Sequence, residues 1–293
     1  VARTSYPDDA GLVAVLASFA VAPTSYLGHG GQAWVYALPD GRALRVLHEG
    51  GSTALVEEQR ALLVELSRSP MPFALPQILE VGERFGRAFV IERRLVGAPG
   101  VQLLTRLDAV DRRALIEAHL DATLRLHELA LAPRPFFGEL LGPDPVRGST
   151  WLEYLALRAE FGLARSNGRV PHVDVSSLIG EFDDVAEGRF VHFDAFLDNM
   201  LFDRSSVTAV LDFGPTAAVG DPRFDVIAAV VYLSTPAHTP TSTKADADVA
   251  FEWLRRHELA DLLPAVRRWL AAFWAFSDEG PRLTEWCRSV LAS

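Results

Sequence analysis

Between Val191 and Phe213 the chain reads VHFDAFLDNMLFDRSSVTAVLDF, two short apolar runs punctuated by three oxygen-bearing side chains. Asp194 stands five residues before Asn199, and Asp212 thirteen residues after it. The runs at residues 199–202 and 209–211 read as strands joined by the polar turn 203–206. Paired antiparallel, such strands bring Asp194, Asn199 and Asp212 to one rim. A carboxylate and an amide oxygen suit a hard divalent cation, and Mg²⁺ prefers oxygen ligands while keeping several waters. Asp194 is then left to accept a proton from an attacking hydroxyl. A metal pair, a base and precise spacing are the parts that phosphoryl transfer requires.

The remainder of the chain falls into two parts. Helical periodicity over residues 9–19 precedes YLGHGGQAWVYALPDGRALRVL, residues 26–47. There Gly28, Gly30 and Gly31 interrupt the pattern, and strands at 34–38 and 43–47 flank the turn Pro39-Asp40-Gly41-Arg42. A helix follows at 54–69, then two strands within 76–95 around Gly86. A hinge is expected at residues 92–97. Beyond it the periodicity is mostly helical, at 111–129, at 151–165 and through the aromatic-rich tail at 246–291. The expected fold is α+β: a small antiparallel-sheet lobe over residues 1–95 and a larger, mostly helical lobe over 96–293. A cleft between them is the expected ligand site.

Composition narrows the function classes. The 293 residues carry a formal charge of −10, which excludes a general phosphate-backbone binder and predicts no nucleic-acid partner. No apolar run is long enough to span a membrane, so none is predicted as a partner. The apolar stretch at 11–23 lacks the basic start of a secretory signal, because Asp8 and Asp9 precede it. Cys287 is the only cysteine, so no internal disulfide or Cys-based zinc site is possible, and a cytoplasmic location is expected. Lys244 is the only lysine.

His192, Asp194 and Asn199, followed by Asp212-Phe213-Gly214 and by GDPRFD at 220–225, resemble the catalytic core of the aminoglycoside phosphotransferase (choline kinase-like) family of the protein-kinase-like fold. RLHEL around His127 also resembles that family's helix before the catalytic loop. The resemblance covers roughly residues 26–233. Only five residues separate Gly214 from Gly220, so the long peptide-holding segment of protein kinases is missing. The resemblance therefore implies ATP-dependent O-phosphorylation of a small hydroxylated molecule, with GTP an alternative donor. It assigns the base to Asp194 and Mg²⁺ to Asn199 and Asp212. The nucleotide falls to the turn of Gly28, Gly30 and Gly31, to Arg45, and to the hinge residues Glu92 and Arg94. His29 at the turn's tip is expected to face solvent.

Two features depart from the family pattern, and one partner is open between neighbouring positions. Arg45 stands where the family places a strand lysine, and arginine keeps the charge while presenting a longer, planar fork. Glu58 is chosen as the helix partner of that residue, although helical spacing also offers Gln59. Phe193 replaces a glycine common in the family and is expected in the core. For the acceptor, an aminoglycoside or related antibiotic stands first. Macrolides, amino sugars, homoserine or choline-like compounds are the alternatives, as is a catalytically weak, ATP-binding pseudokinase. Asp183, Asp184, Asp198, Asp278 and Glu279 are candidate acids for a polycation, and Trp151, Trp269, Trp274 and Trp286 are candidate pocket walls or core.

Overall fold

A computed structural model describes residues 9–277 and 280–293. The chain divides into two compact units. The first comprises the described residues through Val64 together with Leu75–Leu95; the second comprises Glu65–Ala74 and Val96–Ser293.

The first unit begins with α1 (Ala10–Ser18), which Asp9 caps by accepting a hydrogen bond from the Leu12 amide. Five strands follow: β1 (Tyr26–His29), β2 (Ala33–Ala37), β3 (Arg42–Leu47), β4 (Ile78–Arg84) and β5 (Arg87–Arg93). They form one antiparallel sheet in the order β1-β2-β3-β5-β4. The glycine turn is the tip of the β1–β2 hairpin, so two hairpins share β2. Because side chains alternate across a strand, Leu44 and Val46 enter the core with Phe89 and Ile91, packed with Leu12, Val15 and Leu16 of α1. The same alternation sends Arg45 to the opposite face. Helix α2 (Thr53–Leu66) buries Val56, Leu62, Leu63 and Leu66 along one stripe.

Residues 65–74 go with the second unit although they precede residue 95. The reason is bonding: Glu65 accepts from the Ala132 amide and pairs with Arg134 at 2.6 Å, and Ser69 accepts from the Ala130 amide at 2.6 Å.

In the second unit the helices are α3 (Gly100–Leu104), α4 (Ala109–Arg125), α5 (Trp151–Arg165), α6 (Val175–Ile179), α7 (Arg223–Ser234), α8 (Lys244–Arg256), α9 (Leu263–Phe273) and α10 (Pro281–Leu291). Two small sheets accompany them. One has the order β11 (Ser206–Val210), β10 (Met200–Asp203), β6 (Ala98–Pro99). The other has the order β8 (Arg147–Gly148), β7 (Phe137–Glu139), β12 (Ala218–Gly220), β9 (Arg189–Val191). Helix α7 is buried from Phe224 to Leu233 and forms the unit's centre. Gly220 is glycine for a packing reason: a Cβ there would stand 2.1 Å from the Trp151 ring. Among the described residues, no helix is long and apolar enough to cross a membrane.

Candidate active site

Asp194 lies in the loop between β9 and the short turn Leu197–Asn199. Its backbone carbonyl accepts from the Phe196 amide at 2.7 Å, and the Asn199 amide N–H closes the turn onto Phe196 O at 2.9 Å. Asn199 Nδ2 then donates to Asp194 O at 2.9 Å and to Asp194 Oδ2 at 3.2 Å. Only a donor can sit between two oxygens, which fixes the amide orientation and turns Asn199 Oδ1 away from Asp194. The carboxylate accepts this side-chain hydrogen bond and is only partly buried.

The position of Asn199 differs from the expected strand start. It ends a 3₁₀ turn, and β10 begins at Met200. Asp212 likewise lies beyond β11, which ends at Val210. The two chain segments are still tied together, because the Leu211 amide donates to Asn199 O at 2.7 Å. Asp212 is exposed and has φ of 58°, a left-handed conformation that aspartate tolerates better than most residues. One carboxylate and one amide oxygen are too few for an all-protein cage. They fit Mg²⁺, which commonly takes one or two protein ligands and completes its shell with waters and substrate phosphates. Among the described residues no cluster of three or more His, Cys, Asp or Glu side chains offers a competing metal site.

His192 holds the loop. Its Nε2 donates to the Leu211 carbonyl at 3.0 Å, and its Nδ1 accepts from the Asp194 amide at 3.2 Å. Those two bonds require the neutral Nε2–H tautomer. Burial agrees, pushing the imidazole down to about 4. Asp225, on α7, reaches the same loop with both oxygens. It accepts from the His192 amide at 2.9 Å and the Phe193 amide at 3.0 Å. Asp221 takes the other role in GDPRFD, gripping Arg223 at 2.6 Å. A third brace was not foreseen: Tyr232 OH donates to Phe193 O at 2.9 Å and accepts from Trp274 Nε1 at 3.0 Å.

Phe193 has φ of 56°, which explains why glycine suits this position. The left-handed backbone costs a non-glycine residue about 1–2 kcal/mol. The ring offsets that cost by filling the core between Trp269 at 5.4 Å and Phe273 at 5.5 Å. Loss of a buried phenyl ring costs about 3–5 kcal/mol. Phe193→Gly should therefore lower stability by about 1–4 kcal/mol net in urea denaturation. A stabilised variant would show that backbone strain outweighs packing here.

The nucleotide candidates lie in the first unit. Gly28, Gly30 and Gly31 have no left-handed φ and no atom within 4 Å of where a Cβ would stand. Among the described residues nothing demands glycine at these positions, and the open space would allow a ligand to approach the backbone. His48 Nε2 donates to Gly30 O at 3.2 Å and ties the turn to the end of β3. The side chain of His29 lies outside the described residues. Arg45 Nη2 donates to Gln59 Oε1 at 3.1 Å, and Arg45 Nε lies 3.9 Å from Glu92 Oε2. The helix residue that meets Arg45 is therefore Gln59, not Glu58. Glu58 is exposed, one residue off the buried stripe of α2, and about 100° around the helix from Gln59. Glu92 lies within β5 with its side chain toward Arg45, and Arg94 follows that strand, exposed.

The acceptor candidates sort less evenly. Asp184 is engaged at the N-terminus of α5, whose cap is Thr150, accepting from the Trp151 amide at 3.0 Å. Asp183 and Asp198 are exposed. Asp278 and Glu279 lie outside the described residues. Trp151, Trp269, Trp274 and Trp286 are all buried and serve as core.

The profile of the phosphotransferase enzyme family, abbreviated APH, matches residues 22–269. No curated protein sequence matches the chain at a significant level. Among solved structures, it is similar to the streptomycin–ATP ternary complex of APH(2")-IIa, with TM-score 0.62 at 12% identity over 99% of this chain and 98% of that one. The gentamicin complex of APH(2")-IIa gives TM-score 0.63 at 12% identity, over 98% and 97% of the two chains. The GDP and kanamycin complex of a second such enzyme, APH(2")-IIIa, gives 0.56 at 16% identity, over 94% and 96%. The matched profile covers most of the chain, the fold is α+β and kinase-like, and the chain belongs to the phosphotransferase enzyme family, a family of small-molecule kinases.

Proposed function

We propose that the protein transfers the γ-phosphoryl group of ATP to a hydroxyl of a small molecule, with an aminoglycoside or related antibiotic as the first acceptor class. The observation that carries this reading is the Asp194–Asn199 arrangement. A carboxylate is oriented by an amide whose oxygen points elsewhere, on a loop braced by His192, Asp225 and Tyr232. The names of the structural neighbours, which include streptomycin, gentamicin and kanamycin complexes, support the acceptor class.

In the proposed reaction Asp194 takes the acceptor's hydroxyl proton. The acceptor oxygen bonds to the γ-phosphorus as the bond to the β–γ bridging oxygen breaks, and ADP leaves with the electron pair. Asn199 and Asp212 would hold Mg²⁺, whose charge would offset that of the phosphates. Arg45 and the turn at Gly28, Gly30 and Gly31 would hold the nucleotide. Positioning supplies most of the acceleration, because the loop is fixed before substrate arrives.

Purified protein incubated with Mg²⁺-ATP and a pooled panel of aminoglycosides, macrolides, amino sugars and amino alcohols should yield one product heavier by a single phosphoryl group in mass spectrometry. Omitting Mg²⁺, or substituting Asp212→Asn, should reduce product at least about 10²-fold, the scale expected when a positioned charge is lost. Nucleotide binding without phosphorylation of any acceptor class would favour the pseudokinase reading instead.

A further inference from the structure

Arg45 sits in an unusual electrostatic setting. Its strand partner in the sheet is Val90, and Glu92 pairs with Ala43 two residues away. Directly paired residues share a face and so do residues two apart, which puts Arg45 and Glu92 on one face of the sheet. Both side chains are 20% exposed. From the helix side comes Gln59, a neutral amide that accepts one guanidinium N–H. The helix carboxylates point elsewhere: Glu58 is exposed, and Glu57 pairs with Arg60 at 3.6 Å. Arg45 Nε is buried and makes no hydrogen bond.

A carboxylate at position 59 would grip the guanidinium with two parallel charge-assisted bonds and neutralise it. An amide fixes the direction of the fork without cancelling its charge. Lysine at 45 would fare differently. Its ammonium is a compact point charge and could not reach the amide and Glu92 in one fork geometry.

We propose that Gln59 is a positioning residue that aims Arg45 at the nucleotide phosphates while leaving it charged, and that residues 45 and 59 work as a matched pair. Arginine operates with glutamine, and lysine would operate with glutamate. This rests on the phosphotransferase reading above. Glu92 supplies the partial counter-charge that keeps a largely buried guanidinium tolerable without a helix carboxylate.

The test is a double-mutant cycle on the full chain: the parent, Gln59→Glu, Arg45→Lys and the combined Arg45→Lys/Gln59→Glu. Calorimetry gives the Mg²⁺-ATP affinity, steady-state kinetics separates KM from kcat, and thermal melting confirms folding. Gln59→Glu should weaken ATP binding about tenfold, the scale of one charge-assisted contact, with the effect in the KM for ATP and little change in the acceptor KM. The combined variant should bind at least about fivefold more tightly than the two single losses multiplied together, which is the signature of coupled neighbours. Parent-like binding by Gln59→Glu, or strictly multiplicative losses, overturns the matched pair while leaving the phosphotransferase reading intact. A parent protein that binds no Mg²⁺-ATP overturns both. A merely structural role for Gln59 would shift the melting temperature and leave the ATP-specific KM effect absent, and that pattern also overturns the proposal.

Discussion

Asp194→Asn is expected to leave a folded protein whose kcat falls by about 10²–10⁴, the contribution of a positioned general base. The substitution keeps shape and one acceptor. Its Oδ1 can still take the hydrogen bond that Asn199 Nδ2 gives to Asp194 Oδ2 at 3.2 Å in the parent. The backbone of Asp194 holds the loop as well: its amide donates to His192, and Asp194 O accepts from Phe196 and Asn199. An amide cannot take up the hydroxyl proton, so the loss belongs to the chemical step. The nucleotide contacts proposed for Arg45 and the glycine turn are untouched, and the KM for ATP should stay near the parent's. Steady-state kinetics with the acceptor found by mass spectrometry, beside a thermal melt, makes the measurement. A kcat within a few-fold of the parent's would remove Asp194 from proton transfer and assign catalysis to positioning alone.

The residues proposed to bear chemistry could be picked out in the sequence because their spacing is set locally. Asp194 to Asn199 is one turn, and Asn199 to Asp212 is one hairpin, so few intervening lengths work. The residues that support them were harder to read. Tyr232 stands 39 positions from Phe193, and Trp274 another 42 beyond Tyr232. Only the docking of α7 brings those groups together. Gln59 was half legible: Val56, Leu62, Leu63 and Leu66 mark the buried stripe of α2, and Gln59 falls on it. The family resemblance called for a glutamate, and helix rotation decided otherwise. The four-stranded sheet of the second unit was missed because its strands have two or three residues, too few to show a period of two. The tail read as one helical stretch is broken by 3₁₀ turns at Ala260–Leu262 and Trp274–Phe276. Phe193 was placed correctly in the core, but its left-handed backbone is a property of the loop that no periodicity reveals.

Asp225 carries the second large effect, and it has a pH signature. The carboxyl is 2% exposed, and burial pushes it up to about 7 against the two amide N–H groups it accepts. Asp225→Asn keeps the shape but turns an NH₂ toward one of those amides. A buried amide left without an acceptor costs about 1–3 kcal/mol, so the variant should be less stable at every pH. The deficit should also grow as pH falls. Because the folded-state value lies above the ordinary 3.8, the folded protein binds a proton that the unfolded chain releases between those values. The parent's gain from that proton is present at low pH and is lost as pH rises toward 7. His192 works in the opposite direction: its value near 4 lies below the ordinary 6.5, so its stabilisation is present above 6.5 and lost as pH falls. The two groups meet at the amide of His192 and oppose each other across one window. With asparagine at 225 only the histidine remains, and the variant should become acid-sensitive where the parent is buffered. Urea denaturation at pH 5 and pH 8 should show the parent–variant gap larger at pH 5 by on the order of 2 kcal/mol, following about 1.4 kcal/mol per unit of linked titration. The kcat should fall as well, about 10²-fold for a displacement near 1 Å of the loop that carries Asp194. Equal deficits at the two pH values would mean that Asp225 is ionised throughout, with its two amide bonds outweighing its burial.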